Sequence, residues 1–162
     1  GPTFANMGLC GAIAMAYILV VGGELNGPVI GAIFTIVGFA AFGKHPRNIV
    51  PIMAGVFLGS LAKPWNVDDP SILLAALFGT TLAPIAGRFG WHWGVVAGFV
   101  HSSAALTVGP LHAGLNLYNN GFAAGIVASV LVPVIMAIQS RTRRGDAAAS
   151  EPGAAPSPER KE

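Results

Sequence analysis

Six apolar blocks follow one another along the chain, roughly 4–23, 27–43, 49–62, 71–87, 91–109 and 121–139, each bounded by polar or turn residues. A straight helix needs about 20 apolar residues to cross hydrocarbon about 30 Å thick, and about 17 at the least. The first, fifth and sixth blocks meet this comfortably, and the second and fourth are marginal. Block 49–62, with Pro51 near its start, is short enough for a half-span or a re-entrant piece. The pattern predicts an all-α polytopic transmembrane helical bundle over 1–140, with about six apolar segments and some of them half-spanning or re-entrant. After Arg144 the chain changes to "GDAAASEPGAAPSPERKE", which has no large apolar residue to bury. Residues 141–162 are therefore expected as a disordered cytoplasmic tail.

Charge agrees with hydrocarbon as the solvent. Nine basic and seven acidic residues stand in 162, and only Glu24, Lys44, Arg47, Lys63, Asp68, Asp69 and Arg88 precede position 140. A soluble domain has roughly a quarter of its residues charged. Mean hydropathy is +0.64, and a soluble globule of this composition would aggregate through apolar patches. If all six blocks cross, Lys44, Arg47, Arg88, Arg141, Arg143 and Arg144 fall on one side. Glu24, Lys63, Asp68 and Asp69 fall on the other. That asymmetry places "KHPRN", "RFGWH" and "RTRR" in the cytoplasm of a cell with an inner membrane, with the C-terminus cytoplasmic. The basic residues lie between apolar blocks rather than on one face, so no nucleic-acid partner is expected. Cys10 is alone, which leaves no disulfide framework or metal cluster. With neither an initiator Met nor a charged leading region, the chain reads as a piece of something longer.

Twenty-two glycines mark packing. "GPVIG", "GVFLG", "GWHWGVVAG" and "GFAAG" set Gly31, Gly59, Gly94, Gly98 and Gly125 four residues after another Gly, a spacing that lets membrane helices approach closely. Pro28, Pro51, Pro84 and Pro133 lie inside blocks, where they are expected to free carbonyls and kink helices. "NGPVIGAI" from Asn26 and "NGFAAGIV" from Asn120 share one pattern, as half-units of transporters do.

The polar side chains concentrate in "HAGLNLYNNGFAAGIVAS". His112, Asn116, Tyr118, Asn119 and Asn120 must be in water, paired within the protein or lining a pathway, because desolvation is costly. One reading is an Asn-rich external loop with Asn120 capping a helix that begins near Gly121. The other is a hydrogen-bonding vestibule at a helix N-terminus, aimed at a small polar solute. His101 sits halfway along block 91–109, beside Ser102 and Ser103, where an ionisable residue points to function. Thr80 and Thr81 lie mid-block, and Asn26 opens the second block; with the rest they complete the solute-pathway candidates. No Asp or Glu lies inside a block, which favours facilitated passage over proton- or sodium-driven pumping. "HSS" puts a His and a Ser about 100° apart on a helix and lacks a nucleophile motif, so no enzyme, catalytic residue, metal or cofactor is expected. "KHPRN" could meet anionic headgroups but first fixes topology, and "KPWNVDDP" anchors Trp65 at the opposite interface.

"GPTFANMGL", "ELNGPVIGAIFTIVGFAAFGKHPRNI", "LFGTTLAPIAGRFGW" and "LHAGLNLYNNGFAAGIVA" closely resemble the bacterial membrane family called domain of unknown function 1576, from about Gly1 to Val134. The resemblance implies a membrane location and that this is the C-terminal part of a longer protein, and it assigns no activity. More distantly, "GLNLYNNGFAAGIVA" is similar to the Gly-x-x-x-[Phe/Tyr]-Asn-x-x-x-x-Gly stretch of urea-transporter-like channels. "FANMGLCGAI" is similar to their Phe-x-Asn-Asn-Pro-Leu-Ser-Gly stretch, but Met7 and Gly8 replace the Asn-Pro pair. The expected function is a channel or facilitative transporter for a small polar solute, with the lipid bilayer as its other partner. The alternative is a non-transporting scaffold or subunit of a larger membrane complex, and a homo-oligomer is compatible with either.

Overall fold

The computed structural model describes residues 1–108 and 116–150, apart from the side chains of 116–118 and 146–150. Among the described residues seven α-helices form: α1 (Pro2–Val20), α2 (Gly27–Ala40), α3 (Pro46–Leu61), α4 (Pro70–Gly79), α5 (Ala83–Phe89), α6 (Trp91–Thr107) and α7 (Asn116–Ser150). A single 3-10 turn, Thr80–Leu82, joins α4 to α5, so the two make one broken unit and the chain folds as the six expected segments. No strand occurs among the described residues.

Proline sets most of the boundaries. Pro2, Pro28, Pro46, Pro70 and Pro84 open α1 to α5, where a missing N–H is harmless and φ is already helical. Pro28 and Pro84 therefore start helices rather than kink them, contrary to expectation, while Pro51 and Pro133 do lie inside α3 and α7. Pro84 also accounts for the break, because it cannot donate to the carbonyl of Thr80 and the chain tightens there.

Successive segments run antiparallel. Asn6 near the start of α1 donates to the Ala40 and Lys44 carbonyls at 2.9 and 2.8 Å, placing the turn after α2 at that end. Arg88 and Arg143 line one cavity there, so Lys44, Arg88 and Arg143 share an end. Glu24, Lys63, Asp68 and Asp69 belong to turns at the other end. The sorting of charge read from loop order is thus a sorting between the two ends of the bundle.

The tightest contact is between α3 and α6. A Cβ on Gly55 would strike the Val95 carbonyl, and one on Gly98 the Ile52 carbonyl; one on Gly94 would come within 2.7–2.8 Å of Ala86 and Pro51. Gly55 and Gly98 thus press backbone on backbone, while Gly59 and Gly94, the other members of the motifs at 55–59 and 94–98, make room for the side chains of Ser102, Ala86 and Pro51. Gly31 and Gly125, at the same spacing, face open space.

Around this seam α4 is almost wholly enclosed: 67% of the most apolar stretch of Pro70–Phe89 is buried, against 17% for α1 and 22% for α7. The broken unit is the centre of the molecule. Pro2–Val20, Pro70–Phe89 and Asn119–Gly145 are long and apolar enough to cross a membrane, and Gly27–Ala40 is a shorter apolar helix. The fourth block is thus longer than expected and the fifth shorter, because Gly90 at φ 105 separates α5 from α6, which ends at Thr107. Phe4, Val20, Phe34, Phe42, Trp91 and Val130 stand on the exterior, a surface suited to lipid. Helix α7 continues to Ser150, so residues 141–150 are helical and not the start of a disordered tail. Arginine and alanine, both good helix formers, extend it. The rest of the expected tail, 151–162, lies outside the described residues.

Candidate functional site

The break in the central unit is where polar chemistry enters the core. On one side of it, Gly79 lies against the imidazole of His101, which is 0% exposed on α6; a Cβ on Gly79 would come within 2.7 Å of the ring. His101 Nε2 is 3.0 Å from Asn120 Oδ1 on α7, itself 3% exposed. With the amide oxygen assigned to face the ring, Nε2 carries the proton and donates, leaving Nδ1 as an acceptor. Nδ1 is buried without a partner among the described residues, and so is the Oδ1 of neighbouring Asn119. A buried acceptor left empty costs about 1–3 kcal/mol, so the site is two acceptors short of satisfied.

On the other side, Thr80 is fully buried. Its hydroxyl donates to the Leu77 carbonyl at 2.6 Å and accepts from Lys44 Nζ at 2.8 Å. Lys44 stands in the turn between α2 and α3, where the clamp from Asn6 and a positive φ of 112° at Gly43 fix the backbone. Asn48 ties the turn further: its Oδ1 accepts from the His45 N–H at 2.9 Å and its Nδ2 donates to the Gly43 carbonyl at 3.0 Å. Burial pulls the Lys44 ammonium down to about 8, with Cys10 acting in the opposite direction. A cavity of about 400 Å³ opens beside it, with Phe39, Asn48, Thr81 and Pro84 in its wall. At the opposite end Lys63 donates to Ser102 Oγ at 2.8 Å and the Phe99 carbonyl at 3.0 Å, and burial lowers its pKa as well.

The expected pathway residues thus divide. His101 and Asn120 meet, Asn119 is buried beside Asn120, and Thr80 joins from the break. Thr81 is exposed on the cavity wall. Asn26 lies apart, capping α2 by accepting from the Val29 N–H at 3.1 Å. Asn116 and Tyr118 fall in the first turn of α7, with side chains outside the description, and His112 lies outside the described residues. Asn120 is not the cap of a helix starting near Gly121, because α7 begins at Asn116 and carries Asn120 inward. Sequence reasoning took Lys44, within "KHPRN", first as a topology mark and second as a contact for anionic headgroups, and gave Asn6 and Asn48 no role of their own. The available signal was a lysine directly after an apolar block, with every acidic residue of the first 140 in other turns.

A helical bundle with an apolar exterior, a broken central helix and a polar inclusion at the break defines a membrane protein. The chain belongs to the DUF1576 family, described as a protein of unknown function, whose model matches residues 1–137. No curated protein and no solved structure matches it. The likeness to urea-transporter-like channels therefore has no matching relative behind it.

Proposed function

We propose that the protein is a channel or facilitative transporter for a small polar solute, multi-pass in the inner membrane with its basic end and C-terminus in the cytoplasm. One observation carries this reading. Consecutive residues of the broken central unit, Gly79 and Thr80, touch two separate polar groups, His101–Asn120 and Lys44. Broken helices buried at membrane depth are how transporters present polar groups to a solute. The empty acceptors on His101 and Asn119 suit N–H or O–H donors of a guest. Glu24, Asp68 and Asp69 stand away from this cluster, in the turns of the other end, which favours passage down a gradient over ion-coupled pumping. The reading assigns no catalytic residue and no cofactor.

A second reading, a scaffold or subunit of a larger membrane complex, is favoured by the open faces at Gly31 and Gly125, where another helix could pack. Stopped-flow swelling of proteoliposomes separates the two. Liposomes carrying the protein should swell faster than empty ones for at least one solute in a panel of amides, polyols, hydroxy acids and amino acids. Equal rates across the panel would favour the scaffold.

A further inference from the structure

We propose that the cavity beside Lys44 is an oxyanion-binding site, taking a carboxylate, sulfate or phosphate group on the Lys44 ammonium and the Thr81 hydroxyl. An ammonium has three donors, and the hydrogen bond described for Lys44 Nζ is the one to Thr80. Its other contact is the Phe39 ring, 5.1 Å away. No carboxylate pairs with it among the described residues, and the acidic side chains Glu24, Asp68 and Asp69 belong to the other end of the bundle. A half-buried cation without a counter-ion is costly to keep, and here its backbone is held by Asn6, Gly43 and Asn48. Lys63 shows the contrast. It donates to both Ser102 and the Phe99 carbonyl and lies 4.3 Å over the Phe99 ring, so two of its three donors are already taken, against one at Lys44.

The cavity is large enough for a small organic anion at about 400 Å³. Thr81 lines it, exposed, and Phe39 and Pro84 form apolar walls. A second cavity of about 220 Å³ shares Thr81 and Pro84 with the first and is lined by Arg88. Arg88 in turn lines a third with Arg143. The cations thus follow one another along this end towards Lys44, an arrangement that concentrates anions. The titratable side chain that acts on Lys44 is Cys10 of α1; Thr80, Thr81 and Asn48 are neutral. Only the step that makes the bound group the solute rests on the transport reading. An oxyanion that also carries O–H or N–H donors would satisfy the empty acceptors of His101 and Asn119 further in.

The same chemistry could come from a free anion or from a lipid headgroup, and the experiment separates them. The full chain is placed in nanodiscs of phosphatidylcholine alone or with phosphatidylglycerol. Sulfate, whose charge does not change over the range used, is titrated calorimetrically in a chloride background. For a free anion, sulfate binds in phosphatidylcholine discs, and Lys44→Gln weakens it about tenfold, the loss of one charge-assisted hydrogen bond. For a headgroup, sulfate is not bound, but phosphatidylglycerol is retained by the wild type through detergent extraction and lost from Lys44→Gln. Should that variant fail to fold, the wild type decides, since binding at about pH 6.5 should fall at about pH 9.5 as the ammonium loses its proton. No binding of either probe, or binding indifferent to both Lys44→Gln and pH, overturns the proposal. Sulfate binding without solute flux keeps the site and removes the transport reading. Flux of a neutral solute without anion binding does the reverse.

Discussion

The segments Asn26–Gly31 and Asn120–Gly125 read alike, Asn-Gly-x-x-x-Gly, yet they are put to different uses. Asn26 stands before its helix and turns its amide onto the Val29 N–H. Asn120 is already inside α7, where the backbone N–H groups around it are taken up by the helix. Its amide has to look elsewhere and meets His101 on α6. The shared pattern therefore serves two local structures, and one turn of helix separates a cap from a buried polar contact. The glycines behave the other way. Gly31 and Gly125 both face open space, while the identically spaced pairs at 55–59 and 94–98 hold α3 against α6.

The sharpest way to break this comparison is at the buried seam. Gly98→Ala puts a methyl against the Ile52 carbonyl, where backbone cannot give way, and should destabilise by about 3 kcal/mol. Thermal unfolding in detergent, followed by size-exclusion profile, would register it. Next comes the polar contact. Asn120→Ala should cost about 1–3 kcal/mol by leaving His101 Nε2 unpaired. The double variant His101→Leu/Asn120→Leu should recover much of that, because both polar partners are gone. A double-mutant cycle on the same unfolding assay would reveal non-additivity.

Lys44 supplies a test of intermediate size. It titrates at about 8 when folded, against its ordinary 10.5. Between these values the unfolded chain holds more protons, so stability should rise as pH increases from 8 to 10.5. Lys44→Met should reduce that rise, leaving the part contributed by Lys63, whose pKa burial also lowers. Bound sulfate should oppose it by raising the folded value.

The smaller effects sit at the exposed segment. Asn26→Ala should cost about 1 kcal/mol as a lost cap and leave solute flux unchanged, in contrast to Asn120. Gly125→Ala and Gly31→Ala should stay within about 0.5 kcal/mol. A large loss at either would mean that the face is covered in the working protein, and would favour assembly with another chain.

Segment number and order were legible because alternation between apolar blocks and turns survives any packing arrangement. Blocks 27–43 and 71–87 correspond to α2 and to the α4–α5 unit within a few residues at each end. Which face of each helix turns inward was not legible. Lipid and protein interior are both apolar, so the hydrophobic pattern that orients a soluble helix is silent here. That is why five Gly-x-x-x-Gly spacings looked equal although only those at 55–59 and 94–98 have both glycines buried. The site was legible in part for a related reason. A polar residue inside an apolar block is conspicuous, which picked out His101 and Thr80. Lys44 sits in a turn, where a lysine is ordinary, and only the fold shows its ammonium reaching the Thr80 hydroxyl.

The central claim is that a solute crosses by way of the His101–Asn120 contact beside the broken helix. Its most direct test is tracer or swelling flux in proteoliposomes for the wild type and the His101→Leu/Asn120→Leu variant, matched for folded protein. The account predicts that flux falls to the empty-liposome rate in the variant while its unfolding temperature stays close to wild type. Undiminished flux through the well-folded double variant would contradict it.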